Sequence, residues 1–223
     1  MKTYKSSGVR FNIVNELPTE VKNKFLKVVN EFIQGQNDFD RVEAILDYIA
    51  GGACGRVYDL GKGFVVKINK FNWGANTPDG DILKDLQGVP FIPKVYWYSE
   101  DNRFIVVQKI DGVTTGSYNG DFIFQKKWEQ ETFKQMAQKV YEQCKERGWV
   151  PNDIHGGNCM IDRQGNFWIV DVGLFKRIDE DYFGSDLFVS DLFGSGLIDL
   201  IAEGERIGYW HNMKFTKKIA EAV

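Results

Sequence analysis

The chain has 223 residues, a formal net charge of −3 and 43% hydrophobic residues, which is ordinary for a folded domain. A charge this close to neutral excludes a broad basic face, so neither nucleic acid nor a membrane is expected as a partner. The cysteines Cys54, Cys144 and Cys159 are odd in number and irregularly spaced, which predicts reduced thiols and no zinc site. The first residues lack the apolar stretch of a signal peptide.

Residues 1–41 are predicted to form a helical extension. Pro18 suits the first turn of a helix, and Gly35 is placed to end it. Between them, apolar residues recur at helical spacing: Val21, Phe25, Val28, Val29 and Phe32. This recurrence predicts one apolar face that packs on the body of the protein.

Residues 42–112 are predicted to form a lobe of five strands and one short helix. The strands are expected over 42–50, 56–60, 63–68, 94–98 and 104–110, and the helix over 79–86. Gly, Ser, Thr and Asn are frequent from 112 to 120, which marks a boundary to a second lobe over 113–223.

The second lobe is predicted to be mostly helical. A long helix is expected from 122 to 147, and two short strands flank the turn at 163–166. A strongly apolar helix from 192 to 202 must be buried, and residues 210–223 favour a last amphipathic helix.

Two features of the first lobe suit a bound phosphate. The register Ala50-x-Gly52-x-x-Gly55 gives a glycine turn, in which backbone N–H groups can approach an anion closely. Lys67 lies inside an apolar strand, where its charge needs a partner. A plain turn and a lysine that reaches solvent are the alternative interpretation of these two features.

Three polar residues of the second lobe carry the strongest signal. Asp153 and Asn158 are five residues apart, and Asp171 follows eighteen residues after Asp153. Phosphoryl transfer requires one carboxylate that faces a hydroxyl, together with oxygen ligands for magnesium. Asp and Asn are also common turn residues, so the prediction depends on the order and spacing of several matches.

In this order the residues resemble the protein-kinase-like superfamily, whose pattern is Asp-x-x-x-x-Asn followed by Asp-Phe-Gly, with Val172 here in place of Phe. The chain resembles most the minimal, atypical kinases of bacteria, including secreted effector kinases. Its Asp-Ile-His-Gly-Gly-Asn loop is also similar to that of aminoglycoside and choline phosphotransferases. The resemblance implies an α+β, two-lobed fold with a small antiparallel-sheet N-lobe and a truncated, mostly helical C-lobe.

The resemblance also implies roles for the polar residues. Asp153 would orient the acceptor hydroxyl and take its proton, while Asn158 and Asp171 would bind Mg²⁺. His155 stands where protein kinases usually carry Lys, so it either contacts the transferred phosphate or packs the loop. Asp191 fits the residue that supports the catalytic loop from below.

ATP would occupy the cleft that these lobes form. Lys67 would bind its phosphates, paired with a helix carboxylate that is Asp79 or, alternatively, Asp81. The remaining nucleotide contacts implied by the resemblance come from Gly52, Gly55, Val57, Gln108, Ile110 and Met160. Gln108 and Ile110 would bond the base through their backbones, and Val57 and Met160 would pack against it.

Two departures from the family pattern shape the expected function. Pro151-Asn152 replaces the usual His-Arg, and no Ala-Pro-Glu occurs between Asp171 and Asp191. The expectation is a monomeric protein kinase that acts on Ser, Thr or Tyr of a protein target, a host protein being one option, without activation-loop phosphorylation. Its expected location is the cytoplasm, or a host cytosol reached without a cleaved signal. The alternatives are a small-molecule kinase of the aminoglycoside type and a nucleotide-binding pseudokinase.

Overall fold

The computed structural model describes residues 2–52, 54–70, 77–114, 139–151, 157–164 and 166–178. These residues fall into two units. The first contains residues 1–87 and 93–109, and the second contains residues 88–92 together with the chain from Ile110 onward. The boundary predicted from the sequence lies after residue 112. Among the described helices, none combines the length and the apolar character needed to cross a bilayer.

The first unit is built on one antiparallel sheet of seven strands. In chain order its elements are β1 (Lys2–Ser6), β2 (Val9–Ile13), α1 (Thr19–Gln34), α2 (Phe39–Glu43), β3 (Asp47–Gly51), β4 (Gly55–Gly61), β5 (Phe64–Asn69), α3 (Asp79–Asp85), β6 (Val95–Ser99) and β7 (Phe104–Gln108). The strand order is β1-β2-β6-β7-β5-β4-β3. The α+β class and the antiparallel N-lobe sheet are therefore confirmed, with two strands more than expected.

The two additional strands correct the prediction that residues 1–41 are only a helical extension. β1 and β2 pair along their whole length around a two-residue turn, in which both Ser7 (φ 49°) and Gly8 (φ 79°) have positive φ. This geometry suits a tight hairpin. β2 then pairs with β6, with Phe11 opposite Ser99, so the hairpin extends the lobe sheet.

The helix α1 forms as predicted and covers one face of this sheet. It begins after Pro18 and ends at Gly35, and all five residues of its predicted apolar face are buried. They pack in one core with large side chains of the sheet: Phe11, Tyr58, Val66, Ile68, Trp97, Phe104 and Val106. Burying each such side chain contributes roughly 1.5–3 kcal/mol, which fixes α1 on this face.

A second correction concerns the strand expected over 42–50. Residues Phe39–Glu43 form the short helix α2, capped by the Asp38 side chain, which accepts a hydrogen bond from the Asp40 N–H. Such capping favours a helix over a strand. The strand β3 therefore begins only at Asp47.

The second unit contains two small sheets. β8 (Gly112–Thr114), β10 (Cys159–Asp162) and β11 (Phe167–Ile169) form one sheet in the order β11-β10-β8, and β9 (Trp149–Val150) pairs with β12 (Lys176–Arg177). Residues 139–146 are helical and lie within the predicted helix over 122–147. The predicted helices over 192–202 and 210–223 lie outside the described residues.

Candidate functional site

An ion pair between β5 and α3 is the clearest functional feature of the first unit. Lys67 Nζ lies 2.7 Å from Asp79 Oδ1, and only 15% of the lysine side chain and 3% of the aspartate side chain are exposed. Two charges removed this far from water stabilise each other only in good geometry, and loss of one partner leaves the other at high cost. The buried lysine charge is thereby fixed in direction, as a phosphate-binding lysine requires.

The structure also decides which of the two candidate carboxylates pairs with Lys67. Asp81 accepts hydrogen bonds from the Tyr98 hydroxyl and from Asn102 Nδ2, both at 2.9 Å. Asp79, the first residue of α3, is therefore the partner of Lys67, and Asp81 ties the helix to the hairpin of β6 and β7.

An apolar surface adjoins Lys67 on the same face of the sheet. Val57 is the cross-strand partner of Lys67, and Val65 is the partner of Val107. Partners in an antiparallel pair project to the same side, and so do residues two apart on one strand. Val57, Val65 and Val107 therefore share the face of Lys67, opposite the face that α1 covers. The alternation along β5 could have revealed Val65, which the sequence analysis left unassigned.

The predicted glycine turn joins β3 to β4. The Gly52 N–H donates to the Gly55 carbonyl at 3.0 Å. A Cβ at Gly55 would lie 2.6 Å from the Ile68 carbonyl oxygen, whereas a Cβ at Gly52 would meet no atom within 4 Å. Packing against β5 thus requires glycine at 55. Beside Gly52 there is empty space, although its N–H is bonded within the turn and its carbonyl accepts from Lys70 Nζ at 3.2 Å.

The backbone at the end of β7, where Gln108 was expected to bind a base, already makes a hydrogen bond within the sheet. The Gln108 N–H donates to the Lys94 carbonyl at 2.8 Å, so this amide serves the pairing of β6 and β7.

Lys109 Nζ lies 2.5 Å from Asp59 Oδ2. Burial tends to raise the pKa of Asp59, but hydrogen bonds from Lys109 and from the Gly61 N–H outweigh it and lower this pKa. Ile110 is buried and begins the second unit.

The two predicted metal ligands lie at the same end of paired strands in the second unit. β10 and β11 are antiparallel, with Cys159 opposite Ile169, and the Val170 N–H donates to the Asn158 carbonyl at 2.9 Å. Asp171 is the next residue along the chain, and its Oδ1 accepts from the Gly173 N–H at 3.2 Å. Both side chains are partly exposed. Amide and carboxylate oxygens are the ligands that Mg²⁺ prefers, so this pair suits the ion.

One residue that sequence reasoning missed organises the turn between these strands. The buried Asp162 carboxylate accepts four hydrogen bonds, from the N–H groups of Gln164 and Asn166, from Asn166 Nδ2 and from Trp168 Nε1. Short polar side chains commonly fold back on turns in this way, so its place before Arg163-Gln164-Gly165 was a usable signal. Met160, expected beneath a base, lies between Trp168 and Thr114 on β10 and is partly exposed.

The segments on either side of the predicted catalytic loop are connected to the metal-ligand segment. β9, which ends at Val150, pairs with β12, and the Ile178 N–H donates to the Gly148 carbonyl at 3.0 Å. Val172, which replaces the usual Phe after Asp171, is buried. The predicted residues Asp153, His155 and Asp191 lie outside the described residues.

Comparison with known proteins supports the kinase interpretation. Residues 82–186, just under half of the chain, match the ABC1 atypical kinase-like domain, which confirms the resemblance to the protein-kinase-like superfamily. The matched range contains Asp153, Asn158 and Asp171, whereas Lys67 and Asp79 precede it. The ion pair between Lys67 and Asp79 is thus an observation independent of the match. No curated protein matches the chain significantly.

Proposed function

We propose that this kinase-like protein is an ATP- and Mg²⁺-dependent phosphotransferase, and that it is a minimal protein kinase acting on Ser, Thr or Tyr of a protein target. The observation that carries the proposal is the buried ion pair between Lys67 and Asp79 at 2.7 Å, one strand away from the glycine turn. A lysine held in this way is the phosphate-binding element of kinases.

The residues of each unit have separate roles in this proposal. Lys67 binds the phosphates, and the glycine turn leaves space for them beside Gly52, where no side chain intervenes. Val57, Val65 and Val107 offer an apolar surface for the base. In the second unit, Asn158 and Asp171 supply oxygen ligands, and Asp153 orients the acceptor hydroxyl and accepts its proton. When bound, magnesium neutralises charge that develops on the phosphates.

A protein target is preferred to a small molecule because of the sequence. Small-molecule kinases usually add a helical insertion that builds a substrate pocket, and the described residues of the second unit include no such insertion. The absence of an Arg before Asp153 removes the usual docking cation of a phosphorylated activation loop, so activity without that modification is proposed. The three cysteines form no disulfide, and Cys144 and Cys159 are buried, which suits a reducing cytosol of the cell or of a host.

Radiolabelled ATP tests the proposal and separates its alternatives. Purified protein is incubated with labelled ATP and Mg²⁺, either alone, with a generic protein acceptor, or with an aminoglycoside. Label on protein that disappears in the Asp153→Ala and Asp171→Ala variants supports a protein kinase, and label on the drug supports a small-molecule kinase. Tight ATP binding without transfer supports a pseudokinase.

Two further variants sharpen this experiment. Lys67→Ala should lower kcat/KM for ATP by roughly 100- to 1,000-fold, since it removes a charge aimed at the phosphates. Asp47→Ala is the matched carboxylate control, because Asp47 is exposed on the edge strand β3 and should leave kcat/KM unchanged. Equal activity of Lys67→Ala and the wild type would exclude the proposed role of Lys67.

A further inference from the structure

Asn102, in the turn between β6 and β7, is bonded to the first turn of α3 at both ends of its amide. The residue is buried and has a positive φ of 54°. Its Oδ1 accepts from the Gly80 N–H at 2.8 Å, and its Nδ2 donates to Asp81 Oδ2 at 2.9 Å. One side chain thus holds two consecutive residues of the helix, immediately after the carboxylate that pairs with Lys67.

The same turn is also bonded to the strand that carries Lys67. Asn69 lies two residues after Lys67 on β5, and its Nδ2 donates to the Asn102 carbonyl at 2.8 Å. The Asn69 N–H donates to the Arg103 carbonyl at 2.8 Å. A closed circuit therefore runs from Lys67 through Asp79, α3, Asn102 and Asn69 back to β5.

A third contact holds α3 from the β6 side. The Tyr98 hydroxyl donates to Asp81 Oδ1, and both burial and this hydrogen bond raise the pKa of Tyr98, so the hydroxyl remains a donor at neutral pH. Gly80 lies against the Tyr98 ring so closely that a Cβ would come within 2.3 Å of it. α3 has only seven residues and is too short to be stable by itself, so its placement depends on such tertiary contacts.

We propose that Asn102 is a positioning residue for the phosphate-binding lysine: it fixes the first turn of α3 so that Asp79 meets Lys67 without any activating event. The inference rests on the proposed function for its catalytic consequence. The fixing of α3 itself is a property of the first unit and can be measured without a nucleotide.

The variant of choice is Asn102→Gly, because glycine accepts the positive φ and removes only the side chain. Its matched control is Asn37→Gly, since Asn37 also has a positive φ (74°) and follows α1, on the opposite face of the sheet. Amide hydrogen exchange over residues 79–85 should accelerate about tenfold in Asn102→Gly and less than twofold in Asn37→Gly. Unchanged exchange in Asn102→Gly would overturn the inference.

A kinetic experiment tests whether Asn102 affects kcat/KM through the position of Asp79. Asn102→Gly should lower kcat/KM for ATP about tenfold in the wild-type background, and less than twofold when Asp79→Asn is already present. A tenfold loss that persists with Asp79→Asn would contradict a positioning role. If the wild type neither binds nor uses ATP, the proposed function fails, and the exchange result still decides whether Asn102 holds α3. Should Asn102→Gly not fold, Asn102→Asp keeps an acceptor for the Gly80 N–H but places a carboxylate oxygen against Asp81 Oδ2, and it should likewise accelerate exchange over residues 79–85; unchanged exchange in this variant would also overturn the inference.

Discussion

Replacing Gly80 by alanine should destabilise the protein, although alanine favours helices. A Cβ at this position would lie 2.3 Å from Tyr98 Cδ2 and 2.7 Å from Asn102 Oδ1. Carbon atoms pack best at about 3.5–4.0 Å, so the helix or the ring must move by more than about 1 Å. The ring is fully buried and its hydroxyl is bonded to Asp81, so it has little freedom to retreat.

Whether Gly80→Ala stabilises or destabilises the protein depends on two opposing contributions to the free energy of unfolding. Overpacking of this kind costs about 1–3 kcal/mol, whereas the helix propensity of alanine over glycine returns at most about 1 kcal/mol. We expect Gly80→Ala to lower the free energy of unfolding by about 1–2 kcal/mol. The movement of α3 should also separate Asp79 from Lys67 and lower kcat/KM for ATP.

Urea denaturation followed by circular dichroism measures the change in stability. The control is Gly52→Ala, because a Cβ there meets no atom within 4 Å and the backbone needs no positive φ. Its free energy of unfolding should stay within about 0.5 kcal/mol of the wild type. A Gly80→Ala variant as stable as the wild type would refute the close packing of α3 against Tyr98.

Three further predictions address other parts of the molecule. Asp162→Ala should cost about 2 kcal/mol in urea denaturation, because four partly buried N–H groups lose their acceptor, while Arg163→Ala removes only an exposed ion pair with Asp111 and should be nearly neutral. Asp59→Asn should destabilise at neutral pH. Because the folded pKa of Asp59 lies below its ordinary value of 3.8, this difference should disappear as the pH falls through the folded pKa, which urea titrations at several pH values would detect. A thiol reagent should label the partly exposed Cys54 far faster than the two buried cysteines, whose pKa values burial raises, and MgATP should slow that labelling; labelling that ignores MgATP would argue against a nucleotide at the glycine turn.

Periodic patterns in the sequence predicted most of the first unit correctly. The apolar face of α1 lies where the pattern placed it, and the strands β4 to β7 begin and end within two residues of their predicted bounds. Such elements can be predicted from the sequence because burial on one face imposes a regular spacing of apolar residues. The alternation of Val9, Phe11 and Ile13 was equally regular, and it would have predicted β2 if the segment had not been assigned to the helical extension.

The candidate site could be predicted at positions where a motif fixes the type of residue. It could not be predicted at positions where long-range hydrogen bonds decide which residues meet. The family resemblance implied the pairing of Lys67 with Asp79 and kept Asp81 as the alternative, and the contacts in the folded protein exclude Asp81. That choice depends on Tyr98 and Asn102, which lie on a hairpin far along the chain and contact α3 only in the folded state. In the sequence Asn102 resembles an ordinary turn residue, because its hydrogen bonds to α3 leave no periodic pattern.

The short carboxylate of Asp79 can pair with Lys67 because its neighbour, Gly80, has no side chain. Aspartate is one methylene shorter than the glutamate that kinases usually place here, so the pair reaches 2.7 Å only if the helix lies close to the sheet. Lys67, Ile105 and Tyr98 form one row across that face of the sheet. Because Gly80 has no side chain, the first turn of α3 can rest directly on the Tyr98 ring, at the end of the same row. The departure at position 79 is thus compensated next to it, and the ion pair forms without the longer side chain.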